Sequence, residues 1–133
     1  MASESGLVHF DTDLLIVGLS RSGAERRCLL SLADSPAVLQ MSAVAWYEFS
    51  RGPRTPEQLA VGRALLADDG IIPLSEDIAS RAAEVFRQLG SPRRRAADIA
   101  IASTAIIAGA TLVTRNSRDF ADIPGLDLCV VAE

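Results

Sequence analysis

Lysine is absent from the 133-residue sequence, and all 13 basic residues are arginines. Chemistry that needs a lysine, from Schiff-base formation to phosphate binding by an ammonium group, is therefore excluded. Only two cysteines occur, Cys28 and Cys129. Each lies in an apolar stretch, so both are expected to be buried small hydrophobes, with neither a disulfide framework nor a zinc-ligand spacing. The single histidine, His9, falls within a strand-like run and is expected to be an ordinary strand residue rather than a general base. Long apolar runs are missing too. The longest charge-free stretch, Ile99 to Thr114, is rich in Ala, Ser and Thr and falls short of the roughly 20 apolar residues that a membrane span needs, so no membrane association is expected. Residues Met1 to Gly6 carry no basic group and acids follow at Asp11 and Asp13, so no signal peptide is expected and the protein is placed in the cytoplasm. No glycine-rich phosphate loop follows any strand-like run, which disfavours a nucleotide-binding fold.

What is present fits one globular unit, expected to span residues 1–133 as a single domain. Hydrophobic residues make up 49% and charged residues 23%, enough to build a core. Leu7 to Phe10 reads as a strand that stops at Asp11, and helical spacing follows from Leu14. Residues 23–33 suggest a second helix, ended by Asp34-Ser35-Pro36. Ala37 to Met41 reads as the second strand, Ser42 as the cap of a helix running to Gly52-Pro53, and Thr55-Pro56-Glu57-Gln58 as a capping box. Gly70 is expected to close that fourth helix, before a brief strand at Ile71 to Leu74 whose proline places it near an end or an edge. A helix opens at Ser75 and stops at Gly90, and an apolar one spans Ala96 to Ala108 and ends at Gly109. Thr111 to Thr114 and Leu126 to Val131 supply the last strands. Alternating strands and helices predict an α/β fold, a three-layer α/β/α sandwich around a mostly parallel sheet.

In such sheets the functional crevice lies beyond the carboxyl ends of the strands. Asp11 follows the first strand, and Asp119 lies just beyond the strand ending at Thr114. Glu48 borders the apolar face of its helix, while Asp98 sits in the most apolar helix and needs a partner, because a buried lone carboxylate is costly. Each acid has a bland explanation when taken singly: Asp98 suits a first helical turn, and Glu48 can pair with Arg51. Together they repel one another, by about 4 kcal/mol for a pair 4 Å apart at an effective dielectric of 20. A divalent cation resolves that repulsion, and oxygen-only ligation points to Mg²⁺ or Mn²⁺ rather than zinc.

Four blocks, taken in order, resemble the PIN-domain ribonucleases, and within them the VapC-type toxins of bacterial toxin–antitoxin pairs. They are Phe10-Asp11-Thr12-Asp13-Leu14-Leu15-Ile16, Ser42 to Phe49 with Arg51-Gly52, Ala97-Asp98-Ile99-Ala100-Ile101-Ala102, and Leu112 to Phe120. The resemblance covers nearly the whole chain. It implies that Asp11, Glu48, Asp98 and Asp119 form an acidic quartet holding Mg²⁺ or Mn²⁺, with Thr12, Thr114 and Asn116 as polar helpers. Asp119 would reach the ion directly or through water, Asn116 then taking the closer place. At Asp13 the family more often carries a small neutral residue; here the acid adds charge to the site or caps the helix.

The chemistry implied is endonucleolytic hydrolysis of RNA by a metal-activated water, without a covalent enzyme intermediate. The net charge of −4 repels nucleic acid as a whole, so binding needs a local basic cluster. Arg93, Arg94, Arg95 and Arg115 are the candidates for contact with RNA phosphate or with an antitoxin, and Arg118 could extend the same rim. Trp46, Tyr47 and Phe49 read as core or contact residues. The resemblance further implies a homodimer and an inhibitory VapB-type antitoxin. Receiver domains and haloacid-dehalogenase-type phosphatases also place acids after the first strand, but both rely on a lysine. The remaining rival is a catalytically inactive PIN-like module that only binds a protein.

Overall fold

The computed structural model describes residues 6–131. The expectation about a signal peptide rests mainly on residues 1–5 and lies outside the described residues. The chain runs β1 (Leu7–Phe10), α1 (Thr12–Ser20), α2 (Ala24–Ala33), β2 (Val38–Ser42), α3 (Ala43–Ser50), α4 (Pro56–Leu65), β3 (Ile71–Ile72), α5 (Glu76–Gln88), α6 (Ala96–Ala108), β4 (Thr111–Thr114) and β5 (Asp127–Val130). Single 3-10 turns, Arg93–Arg95 and Ser117–Asp119, precede α6 and follow β4.

All five strands pair in parallel, in the order β3-β2-β1-β4-β5. A parallel neighbour can only be reached by a crossover, and crossovers are right-handed. The helices that carry the chain outward from β1 to β3 therefore cover one face, and α5 with α6, which bring it back across to β4, cover the other. Contacts fit this for most helices, since α1 packs on α2 and α4 while α5 packs on α6; α3 touches both α1 and α6. The result is the expected three-layer sandwich. Strand order reverses between β1 and β4, which puts a crevice beyond their carboxyl ends.

The core explains the helix patterns. Phe10, Leu14, Leu15, Met41, Phe49 and Leu112 are fully buried around the central strands. Buried positions Ile99, Ile101, Ala102, Ser103, Thr104 and Ala105 wrap most of the way round α6, as its apolar sequence predicts. Local caps also form where the sequence places them. Ser42 Oγ accepts from the Ala45 N–H at 3.0 Å, and Thr55 and Gln58 exchange bonds of 3.1 and 3.0 Å in a capping box with Pro56 at the first helical position. Gly109 closes α6 in the left-handed region, at φ +69°.

Three expectations need correction. Gly70 does not close α4, which ends at Leu65; instead its N–H donates to Ala67 O and its C=O accepts from Met41 N, both at 2.8 Å. A Cβ at Gly70 would lie 2.7 Å from Ala67 O and 3.0 Å from Leu39 O, so glycine serves close backbone approach there. Cys28 and Cys129 are half-buried rather than buried. Cys129 lies on the outermost strand β5, paired on one side only, and Cys28 lies on the surface helix α2. The strand expected over Ile71 to Leu74 shrinks to β3, Ile71–Ile72, because Pro73 has no N–H to continue the ladder. Among the described residues no helix is long and apolar enough to cross a membrane.

Candidate functional site

A polar cavity of about 320 Å³ opens at the β1/β4 crevice, and its wall combines Asp11, Thr12, Asp13, Glu48, Asp98, Asn116 and Asp119 with Ile16 and Arg51. Asp11 leaves the end of β1 and caps α1. Its Oδ1 accepts from the Thr12 N–H at 2.7 Å and its Oδ2 from the Thr114 hydroxyl at 2.8 Å. Thr114, at the end of β4, is fully buried behind Asp11 and also accepts from the Asn116 N–H at 2.9 Å. Glu48 arrives from α3, where its Oε1 accepts from the Thr12 hydroxyl at 3.0 Å. Asp98 comes from the first turn of α6, and Asp119 from the 3-10 turn after β4.

The electrostatics are those of acids crowded together. Burial raises the Asp11 pKa to about 7, with Asp13 and Asp98 adding to the rise and the Thr114 and Thr12 hydrogen bonds opposing it. Burial also lifts Asp98 to about 6, aided by Asp119 and Glu48, while the Arg95 guanidinium pulls the other way. Among the described residues nothing donates a hydrogen bond to the Asp98 carboxylate. Nor do any three acids, histidines or cysteines among them form a finished ion cage. The acids ring the cavity. Carboxylate, hydroxyl and amide oxygens are the candidate donors, and with no histidine or thiol in the wall they fit a hard divalent cation.

The basic candidates lie elsewhere. Arg93, Arg94, Arg95 and Arg115 do not form the cavity wall. Arg93 and Arg94 are exposed, whereas Arg95 grips Asp122 with two bonds of 2.9 and 2.6 Å and donates to Asp119 O at 2.9 Å. Arg115 Nε donates to Glu25 Oε2 at 2.9 Å, and this guanidinium holds the Glu25 carboxyl below its usual range. Both arginines thus act as struts, Arg95 between the N-terminal side of α6 and the loop after β4, Arg115 between that loop and α2. His9 is buried in β1, its Nε2–H donating to Gln40 Oε1 at 2.9 Å, and burial lowers its pKa.

Two wall residues escape a reading of the sequence by acid spacing. Arg51 entered the sequence reading only as one possible partner for Glu48; its guanidinium lies 5.2 Å over the Tyr47 ring while the side chain also borders the cavity. Its position three residues after Glu48, on the same helical face, is the signal that could have found it. Asp13 is the other, and its place two residues after Asp11 left cap and site equally open. A second depression of about 300 Å³ lies between α1, α2 and α4 and is mainly apolar, with Leu30 and Val61 exposed at its edge.

Several solved structures share the fold. A chain from a toxin–antitoxin complex of Klebsiella pneumoniae is 28% identical with a TM-score of 0.73, and the match covers 95% of this chain and 98% of that one. One from VapBC2 of Rickettsia felis, bound to a DNA fragment from their promoter, is 23% identical with a TM-score of 0.72, covering 93% and 98%. Another, from VapBC-1 of nontypeable Haemophilus influenzae, is 20% identical with a TM-score of 0.68, covering 96% and 99%. No curated protein sequence matches the chain. The PIN domain profile matches residues 8–126, from within β1 to the residue before β5, and so takes in every acid of the cavity wall: the chain belongs to the PIN domain family.

Proposed function

We propose that this protein is a divalent-cation-dependent endoribonuclease, the VapC-type toxin of a toxin–antitoxin pair, acting in the cytoplasm as a homodimer of single-domain chains. The observation that carries the proposal is the cavity: Asp11, Glu48, Asp98 and Asp119, far apart in the chain, line one wall on a PIN-domain scaffold. The solved structures that share the fold include toxin–antitoxin complexes, which supports the toxin assignment and a VapB-type partner. The apolar depression beside α2 and α4 offers that partner a surface to cover.

Asp11, Glu48, Asp98 and Asp119 would hold Mg²⁺ or Mn²⁺, with Asn116 supplying a neutral oxygen. When bound, the ion supplies acidity to water and offsets the charge that builds on the phosphodiester. The protein's own groups do the rest. Asp11 and Asp98, with pKa values of about 7 and 6, retain part of their protons near neutrality, and these protons leave as the carboxylates take up a ligand. Thr12 and Thr114 fix Glu48 and Asp11 by hydrogen bonds, so the carboxylates need little reordering. Arg51 at the wall, with the exposed Arg93 and Arg94 farther out, provides positive charge for the flanking phosphates of the strand.

Asp98→Asn keeps the shape and removes the charge. It should cut Mg²⁺-dependent RNA cleavage by at least about a hundredfold while leaving the melting curve cooperative. Cleavage at the wild-type rate would end the nuclease assignment. Expression of the wild type alone should arrest growth, with rescue by the paired antitoxin, whereas an inert binding module would leave growth unchanged.

A further inference from the structure

Asp13 has no part in the mechanism above, yet it faces the cavity, and its Oδ2 accepts a hydrogen bond of 2.8 Å from Asn116 Nδ2. The bond has a twin. Two residues earlier on each side, Thr114 Oγ1 donates to Asp11 Oδ2, also at 2.8 Å. The Asn116 N–H donates to Thr114 Oγ1 at 2.9 Å and closes the set into a ring, with Asp11 capping α1, Asp13 in its first turn, Thr114 ending β4 and Asn116 just after it.

A carboxylate only accepts, so the end of the Asn116 side chain facing Asp13 must be its NH2 group. The two ends of an amide are unlike: the NH2 end repels a cation, and the carbonyl end attracts one. Fastening Nδ2 to Asp13 therefore decides which end remains for the cavity that Asn116 lines. We propose that Asp13 is a positioning residue that pins the Asn116 amide so that Oδ1, a neutral oxygen, is presented to a divalent cation held in the cavity. The proposal rests on the cation reading above. It gives Asp13 a role exerted through Asn116 rather than by direct ligation. A neutral ligand suits a site already crowded with negative charge, since it adds affinity without adding repulsion.

Calorimetric titration of Mn²⁺ into the full chain, without RNA, tests this with wild type, Asp13→Ala, Asp13→Asn, Asn116→Ala and the Asp13→Ala/Asn116→Ala double variant. Asp13→Asn keeps an acceptor for Asn116 and removes the charge. Expected are a loss of about tenfold in Mn²⁺ affinity for Asp13→Ala, a clearly smaller loss for Asp13→Asn, and a double variant no weaker than Asn116→Ala. An Asp13→Ala that binds like wild type overturns the inference. So does an Asp13→Ala effect that persists in full without Asn116, or one matched by Asp13→Asn, because Asp13 would then act as a ligand or as plain charge. Wild type that binds no Mn²⁺ overturns the cation reading itself, and the inference with it.

Discussion

A carboxylate without a counter-charge burdens the fold that holds it, and Asp11 is the clearest case. Its side chain is only 4% exposed, and its pKa stands at about 7 against 3.8 for the free group. Between those values the folded state binds the proton and the unfolded state does not, so stability must fall as pH rises. The stabilising contribution of the protonated group is complete below about pH 4 and gone above about pH 7. Its size is on the order of 4 kcal/mol for Asp11, with the half-buried Asp98 adding a smaller share in the same direction. In the absence of divalent cations, thermal melts should show the midpoint dropping between pH 5 and pH 8, apart from the acid losses of other groups. Asp11→Asn should flatten that drop and melt higher than wild type at pH 8. A midpoint that climbs across the interval in wild type would contradict the crowding described for the cavity.

At the scale of elements, what the sequence revealed depended on distance along the chain. Ser42, the Thr55 capping box and Gly109 were legible because cap and capped group lie within a few residues. Gly70 was misassigned because its backbone also meets Leu39 and Met41, far back in the chain. The arginine run is the same lesson for a site: three adjacent arginines look alike in sequence, yet Arg95 alone reaches across to Asp122 and Asp119 O. That fork ties the loop carrying Asp119 to the start of α6. Arg95→Gln should therefore cost about 1 kcal/mol in denaturant melts, a modest value because Asp122 is 54% exposed. Arg93→Ala or Arg94→Ala should cost nothing measurable. Equal losses at all three positions would show that the fork does not brace this loop.

For the whole molecule, the strand order does what no local pattern can. Acids spaced across most of the chain meet because β1 and β4, early and late in sequence, lie side by side at the centre of the sheet. The alternation of strands and helices announced a parallel sheet, and the order of the four acid blocks announced the family. Which side chains touch was not legible, and the ring through Asp13 and Asn116 appears only in three dimensions. Net charge also belongs to this scale, since a chain at −4 repels a polyanion as a whole and would meet one only through local cations. If Arg93 and Arg94 each neutralise one phosphate, replacing both by Ala should reduce the slope of log affinity against log salt by about 1.4. An unchanged slope would remove them from the RNA path. The bond between Thr114 and Asp11 spans 103 residues and has a consequence for synthesis. A chain emerging from the ribosome holds Asp11, Asp13 and Glu48 long before it has β4 to set beside β1. The pocket is thus complete only once β4 has been made and laid beside β1.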